Sequence, residues 1–117
     1  MSDENARRTA EDHYYAALDL VAEGDHAGAL AEYEKSVAAD PTFTEAMHGQ
    51  ARALQNLARL DEAIAVAQRI SELDPDDVLA HTGLSVLYQL KGMIPEAEVE
   101  GTKAKVLGWK QQLKQKS

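Results

Sequence analysis

The 117-residue sequence contains no cysteine, which excludes disulfide frameworks and thiolate-bound zinc. It has no run of about 18 apolar residues, so no segment qualifies as a membrane-spanning helix and no membrane partner is expected. The opening stretch "MSDENARRTAEDHYY" lacks the apolar core of a secretory signal. A cytoplasmic location is the expectation from these absences. Basic residues are scarce over most of the chain. Up to Gly101 there are 7 of them against 20 acids, a balance of −13. An acidic body repels phosphate backbones, so nucleic acid is not the expected partner. From Thr102 onward the balance reverses to +5, carried by lysines alone. Cations suit the C-terminal end of a helix, where its dipole is negative.

The sequence does contain a period. "ALAEYEKSVAADP" (Ala29–Pro41) and "AIAVAQRISELDP" (Ala63–Pro75) stand 34 residues apart, and both run from Ala into Asp-Pro. Proline lacks the N–H a helix needs and drives the residue before it out of helical geometry, so each pair marks a boundary. A shift of 34 residues also aligns Ala97 with Ala29 and Ala63, and two such shifts align Gly24 with Gly92. Each unit divides into two helical segments: about Thr9–Ala22 and Asp25–Ala38, Thr42–Leu57 and Leu60–Leu73, Asp76–Lys91 and Pro95–Leu107. Gly24 suits a left-handed helix end, Asp25 a cap, "TFTE" (Thr42–Glu45) a capping box, and Pro95 a first helical turn. No segment alternates in the manner of a strand. The expected class is all-α. Small residues recur where backbones must approach, at Ala17, Ala51 and Ser85 on the first helices and Ala29, Ala63 and Ala97 on the second.

These residues resemble the tetratricopeptide repeat, with its pattern W-x2-L-G-x2-Y, then A-x3-F, then P. "HYYAALDL" with Ala29, Tyr33 and Pro41 carries the likeness in the first unit. "MHGQARAL" with Ala63, Ala67 and Pro75 carries it in the second, and "HTGLSVLY" with Ala97 in the third. Ala67 and Gly101 stand where the family prefers a large aromatic, and Trp109 where a third proline was due. The resemblance implies a single domain over 1–117. It would be an α-solenoid of three helix-turn-helix repeats at about 10–43, 44–77 and 78–111, with a short C-terminal helical segment at 108–117. Val106, Trp109 and Leu113 form an apolar stripe if that segment is helical, and it is expected to cover the open end of the third repeat after a turn at Gly108.

Convergent chemistry is missing. His13 and His81 occupy equivalent places two repeats apart, too distant to share a metal, and His26 opens a helix. Asp74, Asp76 and Asp77 lack the spaced ligands and glycine of a calcium loop. The seven glycines form no phosphate cradle. No enzyme activity, metal or cofactor is expected. What remains is surface. In the family the first helix of each unit lines a concave groove, and helical spacing selects the residues that would face it. They are Tyr14, Leu18 and Val21 with Glu11, then His48, Arg52 and Gln55 with Glu45, then Leu79, Thr82, Val86 and Gln89. One subgroup grips the acidic tails of heat-shock chaperones with a clamp of Lys, Asn and Arg. Tyr14, Leu18, Gly49, Leu79 and Gly83 hold those places here. The expected function is a scaffold or adaptor module that binds a peptide segment of a partner protein. Its ligand would carry apolar anchors and one or two carboxylates near Arg52. The alternative is a structural unit that homo-oligomerises through exposed repeat ends, with Trp109 and Leu113 as self-association residues.

Overall fold

The structure, a computed structural model, describes residues 3–116. It holds six helices: α1 (Asp3–Ala22), α2 (His26–Ala39), α3 (Thr44–Asn56), α4 (Leu60–Leu73), α5 (Val78–Leu90) and α6 (Ile94–Lys116). The described residues include no strand. The protein is an all-α helical repeat. Two compact units divide it, Met1–Val66 and Ala67–Ser117, with the boundary inside α4.

The same turn closes the first helix of all three pairs. After α1, the N–H of Asp25 donates to Leu20 O at 2.9 Å and that of Gly24 to Val21 O at 2.9 Å. After α3 the donors are Arg59 and Ala58, and after α5 they are Met93 and Gly92, each reaching back over the same number of residues. This is the Schellman arrangement, whose penultimate donor must be left-handed. Gly24 has φ +80° and Gly92 +77°, while alanine takes the middle position, Ala58, at φ +60°. The other caps follow local chemistry. Asp25 accepts from the Gly28 N–H at 2.8 Å and Asp77 from that of Ala80 at 3.1 Å.

In the first unit, α1 packs on α2 through small residues. Ala10, Ala17 and Ala29 are fully buried, and the buried Ser36 hydroxyl donates to Ala10 O at 2.6 Å. His13 Nδ1 lies 2.7 Å from Glu32 Oε2, and Lys35 Nζ reaches the other Glu32 oxygen at 3.5 Å. The second unit repeats this set. His81 Nδ1 lies 2.9 Å from Glu100 Oε2, with Lys103 Nζ 3.4 Å from Glu100 Oε1. His81 Nε2 also lies 3.2 Å from the Pro75 carbonyl, and the Ser85 hydroxyl donates to Ala97 O at 2.8 Å. A Cβ on Gly101 would come to 3.3 Å from that hydroxyl, so the missing aromatic there allows α5 and α6 to approach closely. Met47, Ile70, Leu84 and Leu87 are the largest fully buried apolar side chains. Each contributes about 1.5–3 kcal/mol by leaving water.

Several expectations are corrected. α1 starts at Asp3 rather than Thr9. The added turn brings Arg7 over the Phe43 ring at 4.3 Å and to 3.1 Å from Asp40 Oδ2. The capping box does not form. Asp40 Oδ1 accepts both the Thr42 N–H (3.0 Å) and the Thr42 hydroxyl (2.7 Å), so the Thr42 side chain faces back toward Asp40. Phe43 becomes the N-cap without a side-chain bond. α5 starts at Val78, later than the expected Asp76, because Asp77 caps it. α6 does not stop near Leu107 or turn at Gly108. It continues without a break to Lys116, since an interior glycine costs a helix only about 1 kcal/mol. Trp109 (62% exposed) and Leu113 (68%) therefore lie mostly in the open instead of closing over the third repeat.

Candidate functional site

The first unit is organised around an aromatic junction. Tyr14 on α1 has its ring centroid 5.2 Å from that of Phe43 and 6.1 Å from that of Tyr33 on α2. All are tilted pairs of the kind aromatic rings favour. Tyr33 is buried and its ring lies against Gly49 of α3, where any Cβ would collide with it. Burial pushes the Tyr33 phenol above its ordinary value, and the neighbouring Tyr14 adds to the effect. Three helices thus meet at Tyr14, Tyr33 and Gly49.

Around this junction lie the expected binding residues of the unit. Tyr14 is half-buried, because it shares in the junction, whereas Leu18 (40%) and Val21 (41%) are exposed further along α1. On α3, His48 and Gln55 are half-buried while Arg52 and Glu45 are exposed. Glu11 is half-buried on α1. The second unit has its own face on α5. Leu79 (67%), Val86 (39%), Thr82 and Gln89 are all exposed there. Exposed leucine and valine side chains on ordered helices are available for contact with another molecule. The Tyr33–Gly49 contact was not legible as part of a site. Its only signal was a glycine inside a helical segment, which marks close approach without naming the neighbour.

Several other polar groups form structural pairs. Glu32 is held below its ordinary value mainly by its bond to His13. Asp40 is lowered by the two bonds from Thr42, with Arg7 adding to them. Arg59 makes a two-pronged bond to Glu62, at 2.9 and 2.7 Å, which lowers the acid and raises the guanidinium. His26 at the start of α2 lies 3.3 Å from the Asn56 amide. Among the described residues no three His, Cys, Asp or Glu side chains form a group that could hold a metal. A cleft of about 420 Å³ in the second unit is lined by Pro75, His81, Thr102, Lys103, Val106 and Leu107.

Known proteins point the same way as the repeat. A family model described as tetratricopeptide repeat matches residues 20–87. No curated protein matches in sequence. Among solved structures, MamA superposes with a TM-score of 0.86 at 18% identity, covering 89% of this chain and 61% of its own. The second tetratricopeptide domain of Spaghetti (RPAP3), bound to the HSP90 peptide SRMEEVD, gives 0.83 at 19%, covering 90% and 96%. YrrB, described as having an unusual peptide-binding site, gives 0.81 at 25%, covering 85% and 51%. The chain thus spans less than two thirds of MamA.

Proposed function

This chain belongs to the tetratricopeptide repeat family, a protein-interaction fold, and we propose that it captures a peptide segment of a partner protein on its first-helix faces. The observation that carries this is the face of the first unit. Leu18 and Val21 are exposed on α1, Arg52 is exposed on α3, and the aromatic junction fixes both helices. Apolar contacts supply affinity, and a guanidinium can bind a carboxylate through two parallel hydrogen bonds. The α5 residues Leu79, Thr82, Val86 and Gln89 offer a further apolar face. Domains of similar fold are solved with an HSP90 peptide, which supports peptide capture as the class of activity. That particular ligand is not expected here. The Lys, Asn and Arg of the clamp are replaced by Tyr14, Leu18, Gly49, Leu79 and Gly83, and an asparagine at 49 would displace the Tyr33 ring. The acidic body favours ligands with one or two carboxylates over anionic runs.

A displayed random-peptide library, selected on the whole chain and counter-selected on Arg52→Glu, tests the reading. Enriched peptides should carry apolar anchors and an acid. Arg52→Glu should weaken them about tenfold or more without moving the melting temperature. Equal affinity for the folded variant would take the site off this face. The rival assignment, a unit that assembles with its own copies, calls on the α6 residues Trp109 and Leu113, which lie on neither α1 nor α3.

A further inference from the structure

α6 has two unlike sides. Gly101, Ala104, Leu107 and Gly108 are half-buried, and Gln111 Nε2 donates to the Asp76 carbonyl at 2.9 Å. The other side is exposed at Val99 (55%), Thr102, Val106 (38%), Trp109 (62%) and Leu113 (68%). These five residues follow one another at spacings of 3, 4, 3 and 4. The mean period of 3.5 keeps a narrow stripe turned toward one second helix. Charge is polarised along the same helix. Glu96, Glu98 and Glu100 precede Gly101, and Lys103, Lys105, Lys110, Lys114 and Lys116 follow it. Such a helix complements itself in one direction only. Side by side and parallel, lysines meet lysines. Antiparallel, the acidic end meets the basic end, and only Lys103 and Lys105 near the centre approach their own counterparts.

We propose that α6 pairs antiparallel with α6 of a second copy of this chain through the stripe Val99–Thr102–Val106–Trp109–Leu113, forming a two-fold symmetric dimer. A dyad near Ala104 sets Trp109 against Val99 of the partner subunit and Val106 against Thr102 of the partner subunit. The flanking Glu96 then faces the partner subunit's Lys110, an opposite-charge pair of the kind that fixes helix orientation. An isologous contact closes on itself, so assembly stops at two copies. The stripe is about 22 Å long, at the low end for a stable interface, so the dimer is micromolar and concentration-dependent. Lysines flanking an apolar stripe also suit an anionic lipid surface, but Glu96 and Glu98 at the other end oppose contact along its whole length. The proposal concerns α6 alone and is independent of peptide capture by α1 and α3.

Sedimentation equilibrium of the full chain from about 1 µM to several hundred µM reads the stoichiometry. A dimer mass should emerge at the upper end and recede as salt is raised. Trp109→Glu and Leu113→Glu, both at exposed positions, should each shift the midpoint at least tenfold while circular dichroism keeps its helical signal. Because the chain has no cysteine, single cysteines report orientation. Val106→Cys lies near the dyad and should cross-link with a short bismaleimide, whereas Leu113→Cys places its two thiols roughly 27 Å apart along the axis and should not. A monomer at every concentration, an unchanged midpoint in both glutamate variants, or cross-linking of Leu113→Cys would overturn the proposal. So would a monomer that cosediments with phosphatidylserine vesicles through Trp109.

Discussion

Replacing an alanine by glycine in a helical protein ordinarily destabilises it, and at Ala58 the sign should reverse. Ala58 is the only described non-glycine residue with positive φ, at +60°. It occupies the place that Gly24 and Gly92 hold in the other two turns, where the same pair of backbone bonds closes the helix. Its Cβ makes the left-handed conformation cost about 1–2 kcal/mol. Glycine removes that strain but gains freedom in the unfolded chain, an opposing effect of about 0.4–1 kcal/mol. The net expectation for Ala58→Gly is stabilisation of about 0.5–1 kcal/mol. For a domain of this size that is a rise in melting temperature of roughly 2–6 °C. Urea titration should show a higher midpoint with an unchanged slope, since the surface exposed on unfolding is the same. Ala31→Gly, at an exposed position inside α2, is the matched control and should lose about 1 kcal/mol. If both variants fall together, the strain assigned to residue 58 does not exist and the turn tolerates alanine for another reason.

Gly49→Ala should cost about 1–3 kcal/mol in urea titration, with a changed near-ultraviolet tyrosine signal, because the new methyl meets the Tyr33 ring. Gly83→Ala, 34 residues on with nothing within 4 Å of its Cβ, should instead be neutral or gain up to about 1 kcal/mol. Acid should weaken the fold below about pH 4. Glu32 and Asp40 both have folded values lowered by their hydrogen bonds, so the stability they give is present above their unfolded values and is lost as pH falls through the folded ones. Asp40→Asn should flatten part of that loss in a series of urea midpoints against pH.

The helices whose ends carry strong local chemistry were legible in the sequence. α4 begins and ends where its apolar spacing and the Asp-Pro stop put it, and α2 lies one residue later than its expected range, capped by Asp25 as the sequence indicates. The errors arose where local signals compete. "TFTE" offers a capping box, but Asp40 lies two residues upstream and captures Thr42 first. The start of α1 is polar on all sides, so no apolar period announced it, and Arg7 was missed as a partner of Phe43 and Asp40. At Gly108 the sequence offered a plausible stop, but nothing there prevents the helix from continuing. Val106, Trp109 and Leu113 share one helical face as their spacing implies, but that face does not close over the third repeat. Periodicity identifies a face and says nothing about what lies across from it.

Positions that join the helices of a pair and positions that face outward follow different rules in this chain. His13–Glu32–Lys35 and His81–Glu100–Lys103 are the same constellation in the first and third repeats, and alanine or serine fills the close contacts beside them. The outward faces share no such pattern: α1 offers Leu18 and Val21, α3 offers Arg52 and Glu45, and α5 offers Leu79 and Thr82. Packing chemistry constrains the first class, because a misfit methyl there displaces a neighbour. Water tolerates almost any residue in the second, so that class can vary to suit a ligand without loss of fold. Gly49 and Arg52 bring the two classes within one turn of α3. A substitution at Gly49 should therefore register as stability, and one at Arg52 as affinity, although their α-carbons are neighbours on the same helix.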